Sequence, residues 1–190
     1  VHSLRKTVPA TELPVSLETV KAHLRVTWDD DDDLISGMML RVAEEIEAGC
    51  GIPMGVATFA ETVDEFPCNH ITISRRPVVS VDSVAYWDIH GVQQTLDPAA
   101  YYSALQTGRL LPNCTWPCTQ WNRPEAVEIT FTAGASDNLP PQAVSAFLLT
   151  MANRFTLRGE ATTNTSAGTD TLSLPPAAVM LLRQLWRGDI

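Results

Sequence analysis

Hydrophobic positions recur at helical spacing near both ends of the chain and at every second residue through its middle. Between 31 and 50, Leu34, Ile35, Met38, Met39, Val42 and Ile46 form an apolar stripe at intervals of three and four, which predicts a helix with one buried face. Asp31 or Asp32 caps its start, the neighbouring carboxylates favour its positive end, and Gly49 and Gly51 offer exits. A shorter helix is predicted over 17–25, capped by Ser16 with Leu17, Val20 and Leu24 on one face. Pro140-Pro141 opens a third, carrying Val144, Phe147, Leu148, Met151 and Phe155 to about Leu157. A fourth starts near Pro175-Pro176 with Val179, Leu182, Leu185 and Trp186.

The middle follows another period. Short segments at 57–63, 70–74, 78–87, 92–96, 101–105, 108–111 and 125–132 are rich in β-branched and aromatic residues, with turn residues between them. Val79 and Val81 alternate with polar residues, as do Val127, Ile129 and Phe131. This pattern predicts antiparallel strands. His90-Gly91 reads as a hairpin tip and Asp97-Pro98 as a turn. The expected fold is α+β: a mainly helical core of about four helices with a small antiparallel β-rich subdomain inserted. The expected divisions are a flexible N-terminal arm (1–13), a first helical part (14–52), the β insert (55–133), a second helical part (139–158), a flexible loop (159–173) and a C-terminal helix (174–190).

Size and charge narrow the functions. The chain has 190 residues, 45% of them hydrophobic, enough for a substantial core. Its formal charge of −9 disfavours free binding to a nucleic-acid backbone. The acid is uneven: ten acidic residues face three basic ones (Lys21, Arg25, Arg41) between Glu12 and Cys50. From Pro140 onward, three acidic residues face four basic ones. Opposite ends of neighbouring copies are thus suited to face one another. No stretch approaches the about 18 apolar residues of a membrane span, and residues 1–14 carry no apolar signal-peptide core.

Candidate chemistry is sparse. Asp29-Asp30-Asp31-Asp32-Asp33 lacks the spacing and glycine bend of a calcium loop, and reads as a helix cap with a solvated, interface-competent acidic surface. Cys68, His70, Cys114 and Cys118 form a chemically acceptable zinc set. Reduced thiols, or a disulfide among the three cysteines, are the other readings. No GxSxG, GxxxxGK[ST] or GxGxxG occurs, and no acid, base and nucleophile assemble, so neither an enzyme nor a cofactor is expected. Trp87, Trp116, Trp121, Tyr86, Tyr101 and Tyr102 crowd the β-rich middle, as interface anchors or, in the favoured reading, as core. The candidate interface residues are Asp29, Asp30, Asp31, Arg75, Arg76, Arg183, Trp186 and Arg187.

Four phrases in order resemble the head–tail connector, or adaptor, proteins of tailed bacteriophages, of the gp6-like type also found in prophages and gene transfer agents. Pro14, Ser16, Leu17, Lys21, His23 and Leu24 fit the opening phrase of that family, and Asp29–Asp33 with Leu34 and Ile35 fit the acidic lead into its second helix. Arg75, Pro77, Val78, Ser80 and Val81 fit a third phrase. Phe131, Thr132, Ala133, Gly134, Pro141 and Val144 fit a fourth. The resemblance implies a ring, usually twelve-fold in the particle, between the portal protein and a stopper or tail-completion protein. DNA would pass its lumen without specific binding, and no membrane would be involved. It also implies that the C-terminal segment, with Leu182, Arg183, Trp186 and Arg187, reaches the portal. The rival readings are another neck protein (stopper or tail completion) and a small zinc-bearing interaction module.

Overall fold

A computed structural model describes residues 2–10, 13, 15–134, 139–157 and 174–185. The chain divides into two compact units: residues 1–12 with 51–136, and residues 13–50 with 137–190. The first is built of strands and the second of helices, the α+β arrangement that the two periodicities predict.

The β unit holds eight strands: β1 (His2–Val8), β2 (Ala57–Val63), β3 (Ile71–Thr72), β4 (Val78–Trp87), β5 (Gln93–Thr95), β6 (Tyr101–Ala104), β7 (Arg109–Pro112) and β8 (Val127–Ala133). Five of them form one sheet in the order β1-β2-β8-β4-β5, and three form another in the order β3-β7-β6. Every pairing is antiparallel. The central strand β8 alternates strictly, burying Val127, Ile129, Phe131 and Ala133. Its neighbour β2 matches it residue for residue, with Phe59 opposite Phe131. Those two rings stack with centroids 5.7 Å apart. Around them Val63, Ile71, Ile73, Val84 and Leu110 close one apolar core, and burial of this surface is what holds the sheets together.

Two local expectations change here, and one unexpected burial appears. Residues 2–8 are not a free arm: they pair with β2 as an edge strand, Leu4 opposite Glu61 and Lys6 opposite Phe59. Leu4 packs partly buried on the core, and the Lys6 ammonium lies 5.8 Å from the Phe59 ring centre. In β4 the period of two breaks, because register shifts fall between Val78 and Ser80 and between Val81 and Ser83. Each extra residue turns the following side chains over, so Val78 and Val84 are buried while Val79 is 49% exposed. In the middle of β2 a carboxylate, Glu61, is also buried. It accepts hydrogen bonds from the Ser74 backbone N–H and hydroxyl, both at 3.1 Å, which makes that burial tolerable.

The helical unit contains α1 (Leu17–Leu24), α2 (Asp32–Cys50), α3 (Pro141–Thr156) and α4 (Pro176–Leu185). Ser16 caps α1 by accepting from the Thr19 N–H at 3.2 Å. Helix α2 buries Ile35, Met38, Met39, Val42, Ala43, Ile46 and Cys50, while Leu34, expected on that stripe, is 43% exposed. The buried face of α3 is made of smaller residues than its stripe suggests: Ala143, Ala146 and Thr150 accompany Phe147 and Met151. Small side chains let helices approach closely, and the Thr150 hydroxyl is satisfied by donating to the Ala146 carbonyl at 2.8 Å. Helix α4 buries Ala178 and Leu182, four residues apart. The expected flexible loop over 159–173 lies outside the described residues.

Candidate interaction surfaces

The acidic run is a folded turn between α1 and α2 with one cation at its centre. The Lys21 ammonium lies 2.6 Å from Asp29 Oδ1 and 2.6 Å from Asp32 Oδ1. The Trp28 indole N–H donates to Asp31 Oδ2 at 3.2 Å. Asp30 is exposed. Hydrogen bonds to Asp29 and Asp32 push the Lys21 pKa up from its ordinary value. The same bond from Lys21, followed by its charge, holds the Asp29 carboxyl below the usual range. Lys21 is thus the cation around which the acidic turn folds, a pairing across eight positions that the spacing of the run does not mark.

This geometry carries a pH signature. A lowered Asp29 pKa contributes stability above its unfolded value of 3.8, and that contribution is lost as pH falls through the lower folded value. The raised Lys21 pKa acts oppositely: its contribution is complete below 10.5 and is lost as pH rises beyond it. Lys21→Met is therefore expected to lower the melting temperature modestly at neutral pH, since the groups are solvated. The gap from wild type should close at the acid end. A gap that stayed constant down through acid pH would mean the ion pair does not stabilise this turn.

The other candidate residues fall on separate surfaces. Arg75 and Arg76 are half-buried on the segment that Glu61 anchors through Ser74. Arg76 reaches over the β6–β7 turn, donating to the Thr107 carbonyl at 3.5 Å. Arg183 is exposed on α4, where it edges a groove of about 230 Å³ with Gly49, Cys50, Leu174, Val179 and Leu182. Leu182 itself is 3% exposed, so its side chain belongs to the helical core and is not available to a partner. The outward apolar side chain of α4 is Met180, 70% exposed. Trp186 and Arg187 lie outside the described residues.

The aromatic residues split between core and surface. Trp116 stacks on Phe66, ring centroids 4.8 Å apart, and Phe66 meets Tyr86 edge-on. The Arg123 guanidinium covers Trp87 at 3.6 Å, a stacked cation–π contact. Tyr101 is buried, whereas Tyr102 and Trp121 are 63% and 93% exposed. An open cleft of about 800 Å³ runs beside Trp116 and Trp121, edged by Asp64 and Glu65. Cys68, Cys114 and Cys118 also line it, as free, exposed thiols. They do not gather with His70: among the described residues no cluster of three or more His, Cys, Asp or Glu side chains is placed to hold a metal. The zinc set read from the sequence is therefore not assembled: Cys68, Cys114 and Cys118 line one cleft but form no metal-holding cluster with His70.

Comparisons with known proteins follow this geometry. Residues 14–92 match the family described as phage gp6-like head-tail connector protein. No curated protein matches the chain in sequence. Solved structures match its whole length. A chain in the neck of an empty gene transfer agent particle, computed with C6 symmetry, superposes with a TM-score of 0.73 at 20% identity, covering 99% of this chain and 96% of that one. A chain in the virion of a native gene transfer agent particle gives a TM-score of 0.71 at 19% identity, covering 98% and 96%. A chain in the neck of a native particle, computed with C12 symmetry, gives 0.68 at 21% identity, covering 100% and 96%. At such identities the shared property is the fold, and it extends over both units.

Proposed function

We propose that this chain, connector-like in sequence over 14–92 and neck-like in fold throughout, is a structural protein of the neck of a tailed-phage or gene-transfer-agent-like particle. It forms a ring between the portal and a stopper or tail-completion protein, twelve-fold in the particle. The observation that carries this reading is the near-complete mutual coverage with chains found in particle necks, joined to the connector-family match on 14–92.

The chemistry of the surfaces is suited to that work. A closed ring needs two different faces on each copy. The acidic turn at Asp29, Asp30 and Asp31 supplies negative charge to the contacts between copies, and Arg75 and Arg76 supply positive charge. Such pairing steers copies into register more than it adds affinity. A chain of charge −9 presents a surface that repels the phosphate backbone, so DNA slides through without specific binding. The C-terminal segment, with Arg183, Trp186 and Arg187, faces the portal.

The test is light-scattering mass of the full chain alone and after mixing with tail-less, DNA-filled heads of its own particle, with the necks imaged. The expected result is a small species alone and a ring beneath the portal on the heads. Arg183→Glu, at an exposed position that leaves the α4 core intact, is expected to weaken attachment roughly tenfold. Necks unchanged by added protein would overturn the reading, and attachment only below an existing ring would make the chain a stopper instead.

A further inference from the structure

The β unit leaves two apolar surfaces uncovered, and their rims differ in charge. The first is the tip of the β4–β5 hairpin. Ile89 and Val92 there are 63% and 53% exposed, and Trp121 is 93% exposed. The loop bearing Trp121 is pinned to the tip: Asp88 bridges Thr119, the Gln120 N–H donates to the Trp87 carbonyl at 3.0 Å, and Gly91 lies against the Gln120 side chain. Asp88 stiffens the turn by accepting from the His90 and Val92 N–H groups, each at 2.9 Å, and from Gln94 Nε2 at 3.1 Å. Asp64 and Glu65 line the cleft that Trp121 borders, as does Arg123, whose guanidinium lies on Trp87 and donates to Gln120 Oε1 at 3.0 Å. This is a preorganised aromatic knob with an acidic rim, the kind that loses little entropy on docking.

The second surface is the outer face of the three-stranded sheet. Tyr102 and Leu111 are direct partners across β6 and β7, 63% and 40% exposed. The next row on that face holds Ala104, Arg109 and Thr72, and Arg76 extends over the adjoining turn. This face is apolar with a basic rim.

We propose that the Trp121 knob of one copy docks on the Tyr102–Leu111 face of a second copy, so that the β units form a continuous contact around the ring. The occupant follows from charge: the knob carries three carboxylates, Asp64, Glu65 and Asp88, beside a single guanidinium, Arg123, that is engaged by Trp87 and Gln120, where the face carries Arg76 and Arg109. Apolar centres meet, and opposite rims surround them. Because the two surfaces are different, each copy offers one and uses the other, the heterologous arrangement that a closed ring requires. A solvent-exposed tryptophan on a stiff loop is the residue type that dominates interface energies. The inference rests on the ring reading above and adds to it the surfaces that meet.

The experiment places a photo-reactive benzophenone amino acid at position 121 of the full chain and assembles it on tail-less heads of its own particle. After irradiation, cross-linked peptides are identified by mass spectrometry. The expected product joins position 121 to a peptide within 101–112 of a second copy. In parallel, Trp121→Ala and Tyr102→Glu, both at exposed sites, should keep a wild-type circular dichroism spectrum and lower the number of complete rings formed on the heads about tenfold or more. Imaged rings whose cross-links fall on another protein, or elsewhere on the second copy, would overturn this contact and leave the neck assignment standing. Necks with no ring of this chain would overturn both.

Discussion

Gly134→Ala is expected to destabilise the β unit by about 3–5 kcal/mol, near the top of the range for single substitutions. Two causes act together. Gly134 has φ +119°, a backbone conformation that residues with a Cβ rarely adopt. A methyl group there would also be driven onto the carbonyl oxygen of Gly55 and to within 2.7 Å of its carbonyl carbon. That obstacle is backbone, so no side chain can swing away to relieve it. The clash lies where β8 ends, next to the Gly134 N–H bond to the Pro77 carbonyl at 2.9 Å. Urea unfolding followed by intrinsic fluorescence would read the loss, and amide exchange would place it in β2 and β8. A midpoint within error of wild type would show that the 55–56 connector yields readily and that the crowding is not structural. The same glycine belongs to the phrase Phe131, Thr132, Ala133, Gly134 that resembles connector proteins; its physical reason is the close passage of a second backbone.

Phe131→Ala is the other large effect, about 3–5 kcal/mol. The ring is fully buried at the centre of the five-stranded sheet, stacked on Phe59 and flanked along β8 by Ile129 and Ala133. Truncation forfeits the transfer energy of the ring and leaves a cavity between β2 and β4, both of which are pinned by register to β8 and cannot close over it. Phe131→Leu, which keeps most of the volume, should cost less than half as much. Thermal unfolding of the two variants tests the ordering; equal losses would mean that the stack with Phe59, and not the filled volume, sets the energy.

How far the sequence was legible depends on whether a local pattern had a local cause. Strand β8 and helix α2 were readable because period and burial agree over most of their length. Strand β1 was not. His2–Val8 offers one inward apolar residue, Leu4, and its order comes from backbone pairing with β2, half a hundred positions away. The two register shifts in β4 were equally hidden, since a bulge is defined by the partner strand and not by the strand that carries it. The resemblance sent Leu182 to a portal-facing surface, whereas its place in the apolar stripe of the last helix pointed to the core, and the core is where it lies, 3% exposed beside an outward Met180. Trp121 and Trp116 are close in sequence and chemically alike, yet one stacks on Phe66 and the other stands in solvent. Nothing in the 57–63 segment marks Glu61 for burial. Its burial follows from Ser74, whose two donors only the fold brings within reach.

The strand order β1-β2-β8-β4-β5 also sets an order in time. A ribosome makes β8 last, although it lies between β2 and β4. Until residue 133 has left the exit tunnel, both of those strands present an unpaired inner edge, and the ring of Phe59 has no partner to stack on. Such edges accept any passing strand, so an interrupted chain is not a smaller version of the folded unit but an adhesive one. Strand β1, made first, waits through the synthesis of two helices before β2 exists to receive it. The five-stranded sheet is therefore sealed in a single late step, and β2 and β4 stay open until residue 133 has been made.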